Sequence, residues 1–444
     1  MSQTPVGSPN WRWALRKKVR AIIKPVGHLI MLNHGIYSLL EHLPIIGYLA
    51  RSKVMPPSIA WQLDSFPELP ASLRTQPGIK RDIAVETESL TNEPLQDMRI
   101  IHTEAMRFTY LHSWYYRVKA APRLLKASHA IERQQTDLSE FSPHPVKTDS
   151  DDLTAMTRQR AAEFGLSTIG IANYDAKYNL EPVDSEIVGD RIIVCVLEQD
   201  WRATQSIPSE RSGLAQLVTY AVLQERALKL AESLKQFGYK AKVYPPDSKV
   251  LILKYAVESG LGQLGLNGQV LTPTAGSRCR MLAINTNAPL IIDQPVDYGV
   301  EKICDACQIC FQRCPVGAIR TKRSMHRGVW KAKINTSACF PIVAQAEGCG
   351  ICMKVCPAQR YGLIEVINEY TKSGNILGKG SPELEGYEWP LDGHYYGPGT
   401  KPPVTKQLLR PPGWVFDPHR RLPMINPIDK NTSDPLSADS KDIF

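Results

Sequence analysis

A chain of 444 residues with 43% hydrophobic content has room for more than one domain and a large core, which excludes a small disulfide-stapled protein. Its formal charge of +9 is gathered at the start, where Arg12, Arg16, Lys17, Lys18, Arg20 and Lys24 all precede the first acidic residue, Glu41. The remainder is nearly balanced, which argues against a nucleic-acid-binding face spread over the whole molecule.

Residues 1–150 read as a mainly helical region punctuated by MPPS, FPELP and QPG, with no motif that assigns it a role. The basic start is followed by apolar residues, but Lys24-Pro25 and Asn33-His34 interrupt them, and neither an Arg-Arg pair nor an A-x-A site follows. The expectation is a cytoplasmic protein. A basic, tryptophan-flanked amphipathic helix over residues 11–50 would allow peripheral membrane contact; the alternative is a solvated helix packed on its own core. From 151 the pattern alternates. DDLTAMTRQRAAEFG reads as a capped helix ending at Gly165, and STIGIANY and RIIVCVLEQ read as strands. SGLAQLVTYAVLQERALKLAESLKQFG is a long helix stopped by Gly238, KAKVY a strand, VLILKYAVESG a helix and CRMLAINT a further strand. Such alternation predicts an α/β (α+β) core over 151–300, a sheet covered by helices. Residues 301–365 hold the cysteine motifs, and 366–444 form a Pro-, Gly- and aromatic-rich tail expected to wrap over the core.

Eight of the ten cysteines lie between Cys304 and Cys356. Cys304, Cys307, Cys310 and Cys314 follow CxxCxxCxxxCP; Cys339 precedes Cys349, Cys352 and Cys356, again with proline next. Spacings of two let successive thiolates wrap one face of a cubane, while the Cys-Pro turn sends its thiolate to the neighbouring cluster. Two [4Fe-4S] clusters are therefore predicted, one on Cys304, Cys307, Cys310 and Cys356, the other on Cys339, Cys349, Cys352 and Cys314. Structural zinc favours two separated CxxC knuckles, and disulfides fit poorly across so many short spacings in a reducing compartment. Cys195 reads as a core thiol. Cys279, between Arg278 and Arg280, is either a thiol of lowered pKa or a plain strand residue.

A two-cluster carrier needs far fewer residues than this, so the clusters should feed something upstream. Before them stands AVESGLGQLGLNGQVLTPTAGSRCRMLAINTNAPL, in which Gly260, Gly262, Gly265, Gly268 and Gly276 would let backbone approach a large flat ligand or a phosphate. GLGQLG follows a helix rather than a strand, which disfavours a dinucleotide phosphate loop. The order of a long helix ending in GY, GLGxxGxxG, TPxxGxRxR, NAPL and two ferredoxin motifs resembles the corrinoid and iron-sulfur reductive dehalogenases over residues 155–365, and less closely epoxyqueuosine reductase. That resemblance implies a nitroreductase-like cobalamin-binding core followed by a bacterial-type ferredoxin domain. It implies a cobalamin lined by the glycines and Thr272, with Tyr220 as proton donor and Arg280 as its basic partner. It further implies an organohalide substrate, a haloaromatic in the simplest case, and an external ferredoxin or flavodoxin as reductant. A cation beside a phenol makes the hydroxyl a better acid. Taken alone, Tyr220 is an ordinary aromatic of an amphipathic helix and Arg280 a surface or ion-pair arginine.

Two alternatives stay open. Pro245-Pro246-Asp247-Ser248 places Asp247 within one position of the catalytic aspartate of epoxyqueuosine reductase, which would make tRNA the substrate. Against it, QLGLN stands where that family has a WxGKN-like sequence, and its C-terminal helical repeats are missing. A noncatalytic iron-sulfur electron carrier is the other. In the tail, LDGHYYG matches D-x-H-x-x-G at Asp392, His394 and Gly397, a string some B12 proteins use to offer histidine to cobalt, but its proline-rich setting lacks the strand-loop-helix context of that motif.

Overall fold

The computed structural model describes residues 120–404, apart from 141–143, 146–147, 180–186, 247–249, 327–328, 336–337, 340–341 and 344–345. The basic start, the 11–50 segment and Asp247 lie outside the described residues.

The elements run α1 (Ala121–Glu140), α2 (Ser150–Glu163), β1 (Thr168–Asn173), β2 (Arg191–Glu198), α3 (Trp201–Gln205), α4 (Glu210–Gln236), β3 (Ala241–Tyr244) and α5 (Ile252–Glu258). There follow β4 (Gln263–Leu264), β5 (Val270–Leu271), β6 (Cys279–Thr286), α6 (Val300–Cys307), α7 (Ile309–Arg313), β7 (Ser324–His326) and β8 (Val329–Lys331). The last are α8 (Ile351–Lys354), α9 (Pro357–Tyr361), α10 (Leu363–Ser373), α11 (Pro382–Glu385), β9 (Tyr387–Glu388) and β10 (Tyr395–Tyr396).

The main sheet has the order β1-β2-β6-β3. Every pairing in it is antiparallel, so the alternating sequence builds a mixed helix and sheet core without parallel crossovers. The strands RIIVCVLE and CRMLAINT are nearly continuous apolar runs because both faces of the sheet are covered. Side chains alternate between faces along a strand. Ile193, Cys195 and Leu197 of β2 and Leu282 and Ile284 of β6 join Leu217, Val218, Val222, Leu223 and Leu230 of α4, with residues of α1 and α2, in one apolar cluster. Ile192, Val194 and Val196, with Met281 and Ala283, pack the other way, against α5 and the cysteine region. By that parity Arg280 belongs to the α4 face and Cys279 to the cysteine face.

Helix α4 begins with a capping box, Ser209 accepting from Ser212 N and Ser212 Oγ accepting from Ser209 N. It ends where Gly238 takes φ +86°, a left-handed value that costs glycine little. Among the described residues no helix is long and apolar enough to cross a membrane.

The region after Asp293 folds onto the sheet rather than standing apart. Residues 382–400 pack inward, with Leu384, Tyr387, Trp389 and Tyr396 buried. The D-x-H-x-x-G string proves to be a turn of the β9-β10 hairpin: Asp392 Oδ1 accepts from His394 N at 2.9 Å and Asp392 Oδ2 from the Tyr396 hydroxyl at 2.8 Å.

Candidate functional site

Tyr220 and Arg280, 60 positions apart, come together because β6 runs beneath α4. The Arg280 guanidinium lies over the Tyr220 ring, 5.4 Å from its centroid, a distance at which cation–π attraction operates. Arg280 is 7% exposed, whereas Tyr220 is half-buried.

Gln199, at the end of β2, fixes the arginine. Its Oε1 accepts from Arg280 Nη2 at 2.7 Å and its Nε2 donates to Thr204 Oγ1 at 3.1 Å. Arg280 Nη1 donates to the Cys279 carbonyl at 3.0 Å. Among the described residues, the hydrogen bonds of Arg280 thus run to neutral oxygens, and its Nε is buried without a partner. Arg278 is arranged differently. It donates to the Gln199 carbonyl at 2.6 Å and pairs with Glu198 at 3.3 Å. Burial raises the Glu198 carboxyl, outweighing Arg278 and the Thr274 hydroxyl, which pull it down. Glu198 and Gln199 were not singled out in the sequence; the signal available was their position at the end of β2, with Glu198 opposite Cys279 in the register. Cys279 is no activated thiol: burial pushes it up to about 12, overriding Arg280 and Arg278. Cys195 is fully buried, as a core thiol should be.

The five glycines approach the protein's own chain. A Cβ on Gly260 would meet the Gln294 carbonyl at 2.5 Å, one on Gly262 the Leu271 carbonyl at 2.4 Å, and one on Gly265 Asn267 Oδ1 at 2.9 Å. Gly268 faces Ile334. A Cβ on Gly276, which takes φ +52°, would meet the backbone of Ala358 and Gln359 at 2.5 Å, just past the Cys356-Pro turn. Thr272 bonds within the same loop, its Oγ1 donating to the Gly276 carbonyl at 3.2 Å. Leu363 N donates to the Pro273 carbonyl at 2.8 Å, and the Ser277 hydroxyl, buried without a hydrogen-bond partner, pulls the Cys356 thiol down against the rise that burial imposes. Loop 272–278 therefore joins Arg280 directly to the last cysteine motif. In the same segment Gln269 Oε1 and Arg278 Nε are also buried without partners.

The eight motif cysteines are free thiols, with Cys307, Cys314 and Cys356 buried and the other five partly buried. Gln308, at φ 52°, bends the chain between α6 and α7, and Cys349 and Gly350, at 44° and 74°, bend it into α8. Burial pushes Cys304 and Cys307 up to about 12, and for both Cys356 adds to the rise. Cys310 feels burial first, then Cys304, Cys356, Cys352 and Cys307. Cys349, also raised by burial to about 12, feels Cys314. Cys339 feels Cys349 and Cys314, and Cys352 feels Cys339, Cys349 and Cys314 before Cys356. Cys356 thus bears on Cys304, Cys307 and Cys310, Cys314 bears on Cys339, Cys349 and Cys352, and Cys352 bears on Cys310 as well. Backbone amides reach the sulfurs as well, Ala318 N to Cys314 Sγ at 3.3 Å and Leu266 N to Cys304 among them. Among the described residues no three His, Cys, Asp or Glu side chains draw in around the position of a single metal ion.

No family model matches the chain. It is 30% identical over 178 residues to the tetrachloroethene reductive dehalogenase of Sulfurospirillum multivorans, a match covering 38% of this chain and 35% of that protein. It is 29% identical over 157 residues to the epoxyqueuosine reductase of Lactococcus garvieae, covering 31% of this chain and 40% of the relative. Among solved structures, the catabolic reductive dehalogenase NpRdhA in complex with 3-bromo-4-hydroxybenzoic acid superposes with a TM-score of 0.52 at 17% identity, over 76% of this chain and 49% of that one. The chain thus shares its fold with that enzyme and resembles reductive dehalogenases, which are oxidoreductases, more than epoxyqueuosine reductases. Both curated matches span well under half of the relatives' length.

Proposed function

We propose that this chain is a corrinoid- and iron-sulfur-dependent reductive dehalogenase that replaces a halogen of an organohalide by hydrogen. The observation that carries the reading is the meeting of Tyr220 with Arg280: a half-buried tyrosine under a buried cation whose hydrogen bonds go to neutral oxygens.

The residues present fit the cofactors. Eight thiols, three buried and five partly buried, with amide donors on their sulfurs, have the chemistry of two [4Fe-4S] sites of four ligands each. The bacterial-type ferredoxin domain would span 301–365, with the 366–444 tail following. The nitroreductase-like core, 151–300, would hold the corrinoid beside the segment from Gly260 to Arg280. There Gly260, Gly262, Gly265, Gly268, Thr272 and Gly276 set the backbone path, and the unpartnered Gln269 Oε1, Arg278 Nε and Arg280 Nε suit the carboxamides of a corrinoid periphery. The set containing Cys356 would adjoin that segment through Gly276 and Ser277. When bound, the corrinoid supplies electrons from low-valent cobalt, and the clusters restore them singly.

Replacing C–X by C–H takes two electrons and one proton and releases halide. Tyr220 delivers the proton to the carbon. Arg280 stabilises the negative charge left on the phenol oxygen, acting in a site where few waters screen it. Gln199 keeps the guanidinium in place. A phenolic or anionic haloaromatic suits this cationic site, and an external ferredoxin or flavodoxin would supply electrons. We place the protein in the cytoplasm, with residues 11–50 available for peripheral membrane contact.

The test is anoxic reconstitution with corrinoid, iron and sulfide, followed by halide release from a haloaromatic panel. Tyr220→Phe should keep its iron and cobalt and lose about 10²–10⁴-fold in turnover, the range of a positioned proton donor. Full turnover by that variant, or wild-type protein that takes up no corrinoid, overturns the proposal. Unchanged electron transfer without any halide release would indicate a noncatalytic carrier. Similarity to epoxyqueuosine reductases supports a second reading, tRNA epoxide reduction; conversion of epoxyqueuosine in tRNA by a preparation inert toward organohalides would establish it.

A further inference from the structure

The near balance of charge after Glu41 hides one uneven stretch. From Ala306 to Ala346 there is no Asp or Glu, while Arg320, Lys322, Arg323, Arg327, Lys331 and Lys333 crowd its middle. The chain folds here into a hairpin. β7 pairs antiparallel with β8, Ser324 opposite Lys331, and at the base of the two arms Asn335 N donates to the Ala318 carbonyl at 2.8 Å. Basic residues of both arms thereby share one short hairpin, with Arg320 and Lys322 exposed and Lys331 and Lys333 half-buried.

The apolar residues of the hairpin face the cysteines. Ala318, Ile319 and Ala332 are buried in one cluster with Cys314, and Cys304, Cys310, Cys339 and Cys352 pack against that cluster. Arg323 fastens the hairpin to α6, donating to Asp305 Oδ1 at 2.6 Å and to the Glu301 carbonyl at 3.3 Å. The same guanidinium engages the carboxylates of Asp305 and Glu301, the last acids before the acid-free stretch. Gathering charges of one sign costs self-repulsion, which a merely solvated surface avoids by mixing signs.

We infer that the hairpin of residues 318–335 is the docking face for an acidic one-electron carrier protein. Its charge draws the carrier in and orients it. In each encounter the carrier loses one electron and a cluster beneath the hairpin gains it; two encounters supply the two electrons that one C–X bond consumes. The inference rests on the two-cluster reading above and adds the place of entry. Nucleic acid is attracted by the same kind of charge. The underside favours the redox partner, because electron transfer falls steeply with distance and this hairpin packs on cysteines of both motifs, with Cys304 and Cys310 only partly buried.

The experiment mixes the anoxically reconstituted full chain with fully reduced flavodoxin, an acidic carrier, in stopped flow. Each donated electron leaves a blue semiquinone on the flavin, and binding of oxidised flavodoxin is measured in parallel. The paired reversal Arg320→Glu with Lys322→Glu should slow electron transfer and weaken binding about 10- to 100-fold at low ionic strength. The gap should close as salt screens the charges. Arg320→Gln with Lys322→Gln should fall between, which keeps the test decisive should the reversed pair fold poorly. Reduced methyl viologen, a small cation, should reduce these variants as fast as wild type. Arg160→Glu, on α2 at the opposite face of the sheet, should leave electron transfer from flavodoxin unchanged. Equal rates for wild type and the reversed pair at low salt, or a wild-type rate indifferent to salt, overturn the docking face, as does equal slowing toward methyl viologen. Lost affinity for a tRNA stem-loop with flavodoxin transfer unchanged assigns the surface to nucleic acid and overturns it too. Wild-type protein that holds no iron overturns the cluster reading and the docking face with it. Wild-type protein that takes electrons in this charge-dependent way yet releases no halide refutes the proposed reaction and leaves the docking face standing.

Discussion

Gln199 separates two contributions of Arg280, its bonding and its charge. The Arg280 Nη2 to Gln199 Oε1 bond is 2.7 Å long, between residues 7% and 1% exposed. Hydrogen bonds to charged groups contribute about 1.5–3 kcal/mol, and a buried charge that loses a partner costs more than the bond alone. Gln199→Leu should therefore lose about 2–4 kcal/mol of stability, since Arg280 Nε already lacks a partner. Gln199→Glu keeps the acceptor and adds a charge, so the fold should hold while the cation beside Tyr220 is largely neutralised. At the 5.4 Å between guanidinium and ring, a unit interaction at an effective dielectric of about 20 is worth roughly 3 kcal/mol. Loss of half to all of it slows turnover about 10- to 200-fold. Urea unfolding and halide release per bound corrinoid measure the two quantities separately. Wild-type turnover by a stably folded Gln199→Glu would refute the use of the Arg280 charge in the reaction.

Gly276→Ala would place a methyl 2.5 Å from the Ala358 backbone at φ +52°. Strain and overpacking together should cost about 2–4 kcal/mol and loosen loop 272–278 from the Cys356 turn, seen as lower urea midpoints and reduced iron retention. Glu198 has a folded pKa raised by burial despite its pairing with Arg278. The folded state then holds its proton more tightly than the unfolded chain, so its contribution to stability is full below about pH 4.5 and falls as pH rises through the raised value. Thermal midpoints of wild type relative to Glu198→Gln should decline over that window; a relative rise would show that the ion pair outweighs burial.

The amino-acid sequence by itself determined what local chain physics controls. Apolar runs at β2 and β6, the long periodic stretch ended by Gly238 and the CxxCxxCxxxCP spacing are all legible within one element's length, because dihedral preference and thiol reach act over a few residues. Only the tertiary structure decided the contacts between distant segments. The antiparallel order β1-β2-β6-β3 sets which face Arg280 takes, and hence that it meets Tyr220 rather than the cysteine region. Gln199 shows nothing in sequence because its duty exists only where β2 ends against the start of β6. The glycines were legible as points of close approach, but their neighbours, Gln294, Leu271 and Ala358, are brought up by the fold. The tail could be read from its composition only as a wrap over the core, because its stabilising partners, Arg313 and Lys354, lie in other segments, and a backbone whose carbonyls are met from outside leaves no periodic trace in its own residues.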